Sequence, residues 1–100
     1  MSLSKFLDWC ETSASDAYYD AGTPAQQTEF SAAQRAARRA VHALQDADLD
    51  PFVRNAQSQL PQLSAAVTDL RRELEGARRG ADILKDATTL ITLLKPFLAL

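Results

Sequence analysis

The chain has 100 residues, a size suited to one domain with a modest core and no need of disulfides or a structural metal. Ala (18) and Leu (14) supply 32 of the 46 hydrophobic residues, against five Val plus Ile, and only three Gly and four Pro interrupt them. That composition favours helix over sheet and excludes collagen-like, disordered and disulfide-scaffold chains. The net charge of −2 is banded, running −3 over residues 1–23, +2 over 24–45, −3 over 46–50, +2 over 51–80 and zero beyond, with no single-sign tail.

The first segment repeats apolar residues at Leu3, Phe6, Leu7, Cys10, Ala14, Ala17 and Tyr18, steps of three and four that predict one helix over 3–20. Trp9 falls at the flank of that stripe and Tyr19 nearly opposite it. Gly22 is expected to end the segment in the left-handed conformation. Thr23-Pro24-Ala25-Gln26 then reads as a helix start, with Thr23 as cap, Pro24 at the first position and Gln26 reaching back as in a capping box. The second helix, over 24–47, carries the stripe Phe30, Ala33, Ala37, Val41 (with Ala40), Leu44 and Ala47, and is expected to end near Asp46 to Asp48.

Asp50-Pro51 repeats the cap-and-proline device. Beyond it, Val53, Ala56, Leu60, Leu63, Val67, Leu70, Leu74, Ala77, Ala81 and Leu84 alternate in steps of three and four, as the inner positions of packed helices do. This predicts a third helix over 51–79, kinked at Pro61, which removes a backbone donor. A break or bend is expected at Gly80, where Arg78 and Arg79 suit a helix C-terminus and Asp82 suits the next cap. The last helix, over 82–95, is expected to stop at Pro96. The fold class is therefore all-α, a single domain arranged as a small antiparallel bundle of about four helices. Its predicted core is Phe6, Leu7, Cys10, Phe30, Val41, Leu44, Leu63, Val67, Leu70, Leu74, Leu84 and Ile91.

Little here supports catalysis. His42 is the only histidine and Cys10 the only cysteine, and their helical phases set them apart: Cys10 falls in an apolar stripe, His42 on a polar face. Asp46-x-Asp48-x-Asp50 imitates the opening of a calcium loop, but Pro51 stands where that loop needs Gly and Gln57 where it needs Glu. Gly76-Ala77-Arg78-Arg79-Gly80 lacks both the length and the lysine of a phosphate loop. No catalytic, cofactor or metal site is expected, and a lone cysteine in a chain without a secretory signal points to the cytoplasm.

Two features are left for function. Eight of the eleven basic residues are Arg, and Arg35, Arg38, Arg39 and His42 share one helix face, the expected site for a protein partner with an acidic surface. Nucleic acid is the weaker alternative, because the chain is acidic overall and no aromatic platform accompanies the arginines. The C-terminal segment has apolar residues around more than half its circumference, and it ends in Pro96-Phe97-Leu98-Ala99-Leu100. Leu90, Leu94, Phe97 and Leu98 are the expected contact in a homo-oligomer. Residues 83–100 lying on a membrane surface are the alternative, although the polar face there has threonines rather than basic residues and the last twenty residues sum to zero charge. The expected function is a non-enzymatic interaction module, a small regulator, adaptor, inhibitor or assembly subunit. The Arg- and Ala-rich, Lys-poor composition fits a G+C-rich bacterial or phage source.

Overall fold

The computed structural model describes residues 2–46, 49–76 and 79–98, which form six α-helices and no strand. They are α1 (Ser2–Trp9), α2 (Ser13–Ala21), α3 (Pro24–Asp46), α4 (Leu49–Ala56), α5 (Leu60–Glu75) and α6 (Gly80–Leu98), with a 3-10 turn at Gln57–Gln59 before α5. Ala47, Asp48, Ala77, Arg78, Ala99 and Leu100, to which the sequence assigns roles at helix ends, lie outside the described residues. α6 is the central element: it packs mainly on α5 and α3 and also touches α1, α2 and α4, while α1 packs on α3 and α5. Its buried side chains are Ile83, Leu84, Ala87, Leu90, Ile91 and Leu94. This explains the wide apolar arc of the C-terminal segment, since a helix with neighbours on two sides needs apolar groups on both.

The expected start of the second helix holds because it is set locally. The capping box is formed: the Gln26 backbone N–H donates to Thr23 Oγ1 at 3.3 Å, and the Thr23 N–H donates to Gln26 Oε1 at 2.9 Å. Pro61 stands at the start of α5, where its missing N–H has no helical partner to lose, so the expected kink is a full break occupied by the 3-10 turn. α5 ends at Glu75, short of the expected 79, with the Gly76 N–H donating to Arg72 O at 2.9 Å.

Other expectations need correction. Among the described residues six α-helices replace the expected four or so. The helix expected over 3–20 is two helices, because Thr12 and Ser15 offer the backbone a better local arrangement than helix continuation. Thr12 Oγ1 donates to Trp9 O at 2.7 Å and accepts from the Ser15 N–H at 3.3 Å, closing α1 and capping α2. The Ser15 hydroxyl lies 2.8 Å from the carbonyls of both Cys10 and Thr12, which accounts for a buried serine at the elbow. The elbow changes the helical phase, so Trp9 is buried while Ala14 and Ala17 are exposed. Gly22 is not left-handed: φ is −80° and ψ 159°, an extended residue that leads directly into the Thr23 cap.

Gly80 opens α6 rather than ending α5, and Asp82 sits in the first turn of α6 instead of capping it. A Cβ at residue 80 would lie 2.5 Å from Cδ2 of Tyr18, so glycine is required there for α6 to approach α2. α4 begins at Leu49, which puts Asp50 and Pro51 within its first turn rather than at the cap and first position. Pro96 does not stop α6, which continues to Leu98: its ring is exposed on the solvent side, and Phe97 is held edge-on to Phe52 at 6.1 Å.

The core is richer in alanine than expected. Phe6, Cys10, Phe30, Leu63, Leu70, Leu74, Leu84 and Ile91 are buried, while Leu7, Val41, Leu44 and Val67 are only partly buried against them. Leu3, Trp9, Ala33, Ala37, Ala40, Ala56, Ala66, Ile83, Ala87, Leu90 and Leu94 complete it. The small residues on α3 and α6 allow their axes to approach closely. Phe30 gathers Trp9, Tyr18 and Tyr19 around it with ring centroids at 6.0, 6.1 and 5.8 Å, and Trp9 stacks on Phe6. The Trp9 indole N–H is buried and has no hydrogen-bond partner among the described residues. Within the heptad series, Val53 and Leu60 are each 54% exposed, so that series is not one continuous buried seam.

Candidate interaction surfaces

α3 buries Phe30, Ala33, Ala37 and Ala40, and the opposite side of the same helix carries Arg35, Arg38, Arg39 and His42, all exposed. Arg35 and Arg39, like Arg38 and His42, are four residues apart, so the four side chains form two short columns over ~10 Å of helix. Among the described residues no carboxylate lies within ion-pair distance of any of them; Lys5 and Glu75, by contrast, pair across α1 and α5 at 3.6 Å. A depression of about 340 Å³, lined by Tyr19, Pro24, Gln27, Thr28, Ser31 and Arg35, continues this ridge toward α2. The result is a cationic strip of planar, multidentate donors with no internal neutralisation, suited to carboxylates on another molecule.

The residues assigned to self-association fall into two groups. Leu90 and Leu94 are 0% and 1% exposed and belong to the core that α6 shares with its neighbours, whereas Phe97 and Leu98 are half-buried at its end. Leu90 and Leu94 nevertheless form the floor of an apolar groove of about 320 Å³, whose walls are Phe52, Leu60, Leu63 and Val67. Ser64 and Thr68 are the polar groups along it. The groove arises from unequal helix lengths. α1, at eight residues, spans ~12 Å, while α5 at sixteen spans ~24 Å, and they meet at the Lys5–Glu75 end. The other end of α5, near Leu60, is left to Phe52 of α4, which covers it only partly. The groove joins residues of α4, α5 and α6, which no local pattern brings together.

Cys10 and His42 are not brought into a reactive pair. Cys10 is buried, and burial pushes its thiol up to about 11, with Arg38 pulling it down and Glu11 adding to the rise. It is therefore a protonated thiol at neutral pH, the reverse of an activated nucleophile. His42 is exposed on the far side of α3. Among the described residues no group of three or more His, Cys, Asp or Glu is placed to hold a metal ion. Gly76 ends α5 and Gly80 begins α6, so the glycines frame a helix junction; Asp48 and Arg78 fall outside the described residues.

One acidic group stands out electrostatically. Asp86, partly buried on α6, has its carboxyl held above the ordinary range by burial first, then by Asp69, Glu73 and Asp82, with Lys85 opposing them. A carboxyl with a raised folded-state pKa binds its proton more readily folded than unfolded, so its contribution favours the fold at low pH. That contribution is fully present below the unfolded value near ~4 and is lost as pH rises through the folded value. Asp86→Asn is accordingly expected to raise the thermal midpoint at pH 7, with the gap over the parent closing below about pH 4. Thermal melts across that range check it; a variant less stable than the parent at pH 7 contradicts the assignment.

No helix among the described residues is long and apolar enough to cross a membrane. Comparison with protein families, with curated proteins and with solved structures found no match to this chain.

Proposed function

We propose that this chain is a non-enzymatic protein–protein interaction module, acting in the cytoplasm as a small regulator, adaptor, inhibitor or assembly subunit. The observation that carries this reading is the strip of Arg35, Arg38, Arg39 and His42, exposed on one side of α3 with no carboxylate among the described residues within ion-pair distance. Its partner is a protein with an acidic surface, because bidentate Arg–carboxylate contacts combine charge with geometry. The reading takes α1, α3, α5 and α6 as an antiparallel bundle that supports this strip on one side. Self-association through the α6 end of the molecule is the second part of the same proposal. A membrane-lying role for residues 83–100 ranks below it, because Lys85, Thr88, Thr89, Thr92, Lys95 and Pro96 are exposed there, while Ile83, Leu84, Ala87, Leu90, Ile91 and Leu94 are buried.

The test is affinity capture from the native cell with the parent chain and with the double variant Arg35→Glu/Arg39→Glu. Both positions are exposed, so folding should persist. Proteins retained by the parent are expected to be lost by the variant and to elute at raised salt. Equal retention by both chains, or retention only of nucleic acid, would sink the proposal.

A further inference from the structure

Residues 55–68 contain no ionisable side chain, the longest such run in a chain that is 24% charged. The run comprises the end of α4, the 3-10 turn and the first half of α5, and it supplies Leu60, Leu63 and Val67 to the apolar groove. Burial inside the monomer does not account for the missing charges. Asn55, Gln57, Ser58, Leu60, Pro61, Gln62, Ser64 and Ala65 are all exposed. Loss of charge from an exposed surface is the compositional mark of an interface centre.

The exposed area gives a second reason. The chain presents 6253 Å² to solvent, whereas a compact monomer of 11.0 kDa presents about 5,600 Å². The surplus of roughly 600 Å² approaches the ~800 Å² that each partner buries in a stable complex. The molecule is correspondingly long, 42 × 23 × 19 Å, with a radius of gyration of 13.7 Å against ~12.7 Å for a compact domain of this length.

We infer that a second copy of this chain docks on the groove between α4, α5 and α6, with Leu60 of each copy entering the groove of the other. The inference rests on the self-association part of the reading above and is independent of the Arg strip. A two-fold contact requires projection and recess on the same patch, and this surface has both. Leu60, 54% exposed, stands at the lip of a recess of about 320 Å³ floored by Leu90 and Leu94. A two-fold axis also brings each charge near its own copy, and an uncharged patch avoids that repulsion. Leu90, Leu94 and the Phe52–Phe97 pair then contribute to the dimer without leaving the core.

The test is sedimentation velocity of the full chain over a concentration series reaching high micromolar, for the parent, Leu60→Glu and Ser64→Glu, with helical circular dichroism recorded on each. Both substituted residues are exposed, so the dichroism should match the parent. The parent is expected to show a dimer mass, and each variant to self-associate about 100-fold more weakly, since a carboxylate would enter an apolar recess twice per dimer. A parent that stays monomeric throughout overturns both the groove and the self-association reading. A parent dimer that neither variant weakens overturns the groove alone, and loss of that dimer in Leu98→Asp instead would assign the contact to the tip of α6.

Discussion

Leu94→Glu is expected to unfold the chain. Leu94 is 1% exposed on α6, among the largest fully buried side chains. The substitution removes ~1.5–3 kcal/mol of apolar burial and leaves a carboxylate in a core with no buried cation among the described residues, a desolvation cost of several kcal/mol more. A domain of this size has a total stability of ~5–15 kcal/mol, so the combined loss takes most or all of it. The measurement is circular dichroism through a thermal ramp at pH 7. Loss of the cooperative transition, or a midpoint lowered by more than about 20 °C, is the expected result. A folded variant with the parent midpoint would show that this side of α6 does not face the core. Raising acidity should partly rescue the variant by protonating the new carboxyl, a recovery that a merely steric defect would not show.

Leu70→Ala is the second large effect. Leu70 is 0% exposed on α5, which packs on both α6 and α1. Deleting most of the side chain removes its transfer energy and leaves a cavity whose walls are helices held at their ends by other contacts, so the expected cost is ~2–5 kcal/mol. That corresponds to a midpoint lower by about 8–25 °C. Val53→Ala provides the internal contrast, because Val53 occupies an equivalent place in the heptad series but is 54% exposed. Its expected change stays within ~0.5 kcal/mol. Equal destabilisation by the two substitutions, measured in urea, would mean that the heptad series is a single buried seam after all.

Much of the candidate site was legible because it depends on one helix at a time. Arg35, Arg38, Arg39 and His42 lie on the back of α3 as their spacing requires, since 3.6 residues per turn sets them opposite Phe30, Ala33 and Ala37. The groove was not legible, because Phe52, Leu60–Val67 and Leu90–Leu94 come together only through tertiary packing.

The same division runs through the fold. Sequence by itself determined the all-helical class and the devices that act within four residues: the Thr23–Gln26 capping box, a disruption of the backbone at Pro61 and the separation of α5 from α6. These follow from backbone hydrogen bonding and fixed dihedral angles, which need no distant partner. Tertiary structure decided what depends on a neighbour. The elbow at Thr12 and Ser15 turns Trp9 inward to meet Phe30, and Gly80 is small because the Tyr18 ring lies against it. α6 passes through Pro96 where Phe97 meets Phe52, and Leu70 is buried while Val53 and Leu60 are not. Periodicity records which residues share a side of a helix, but only the lengths and positions of the surrounding helices settle how much of that side is covered.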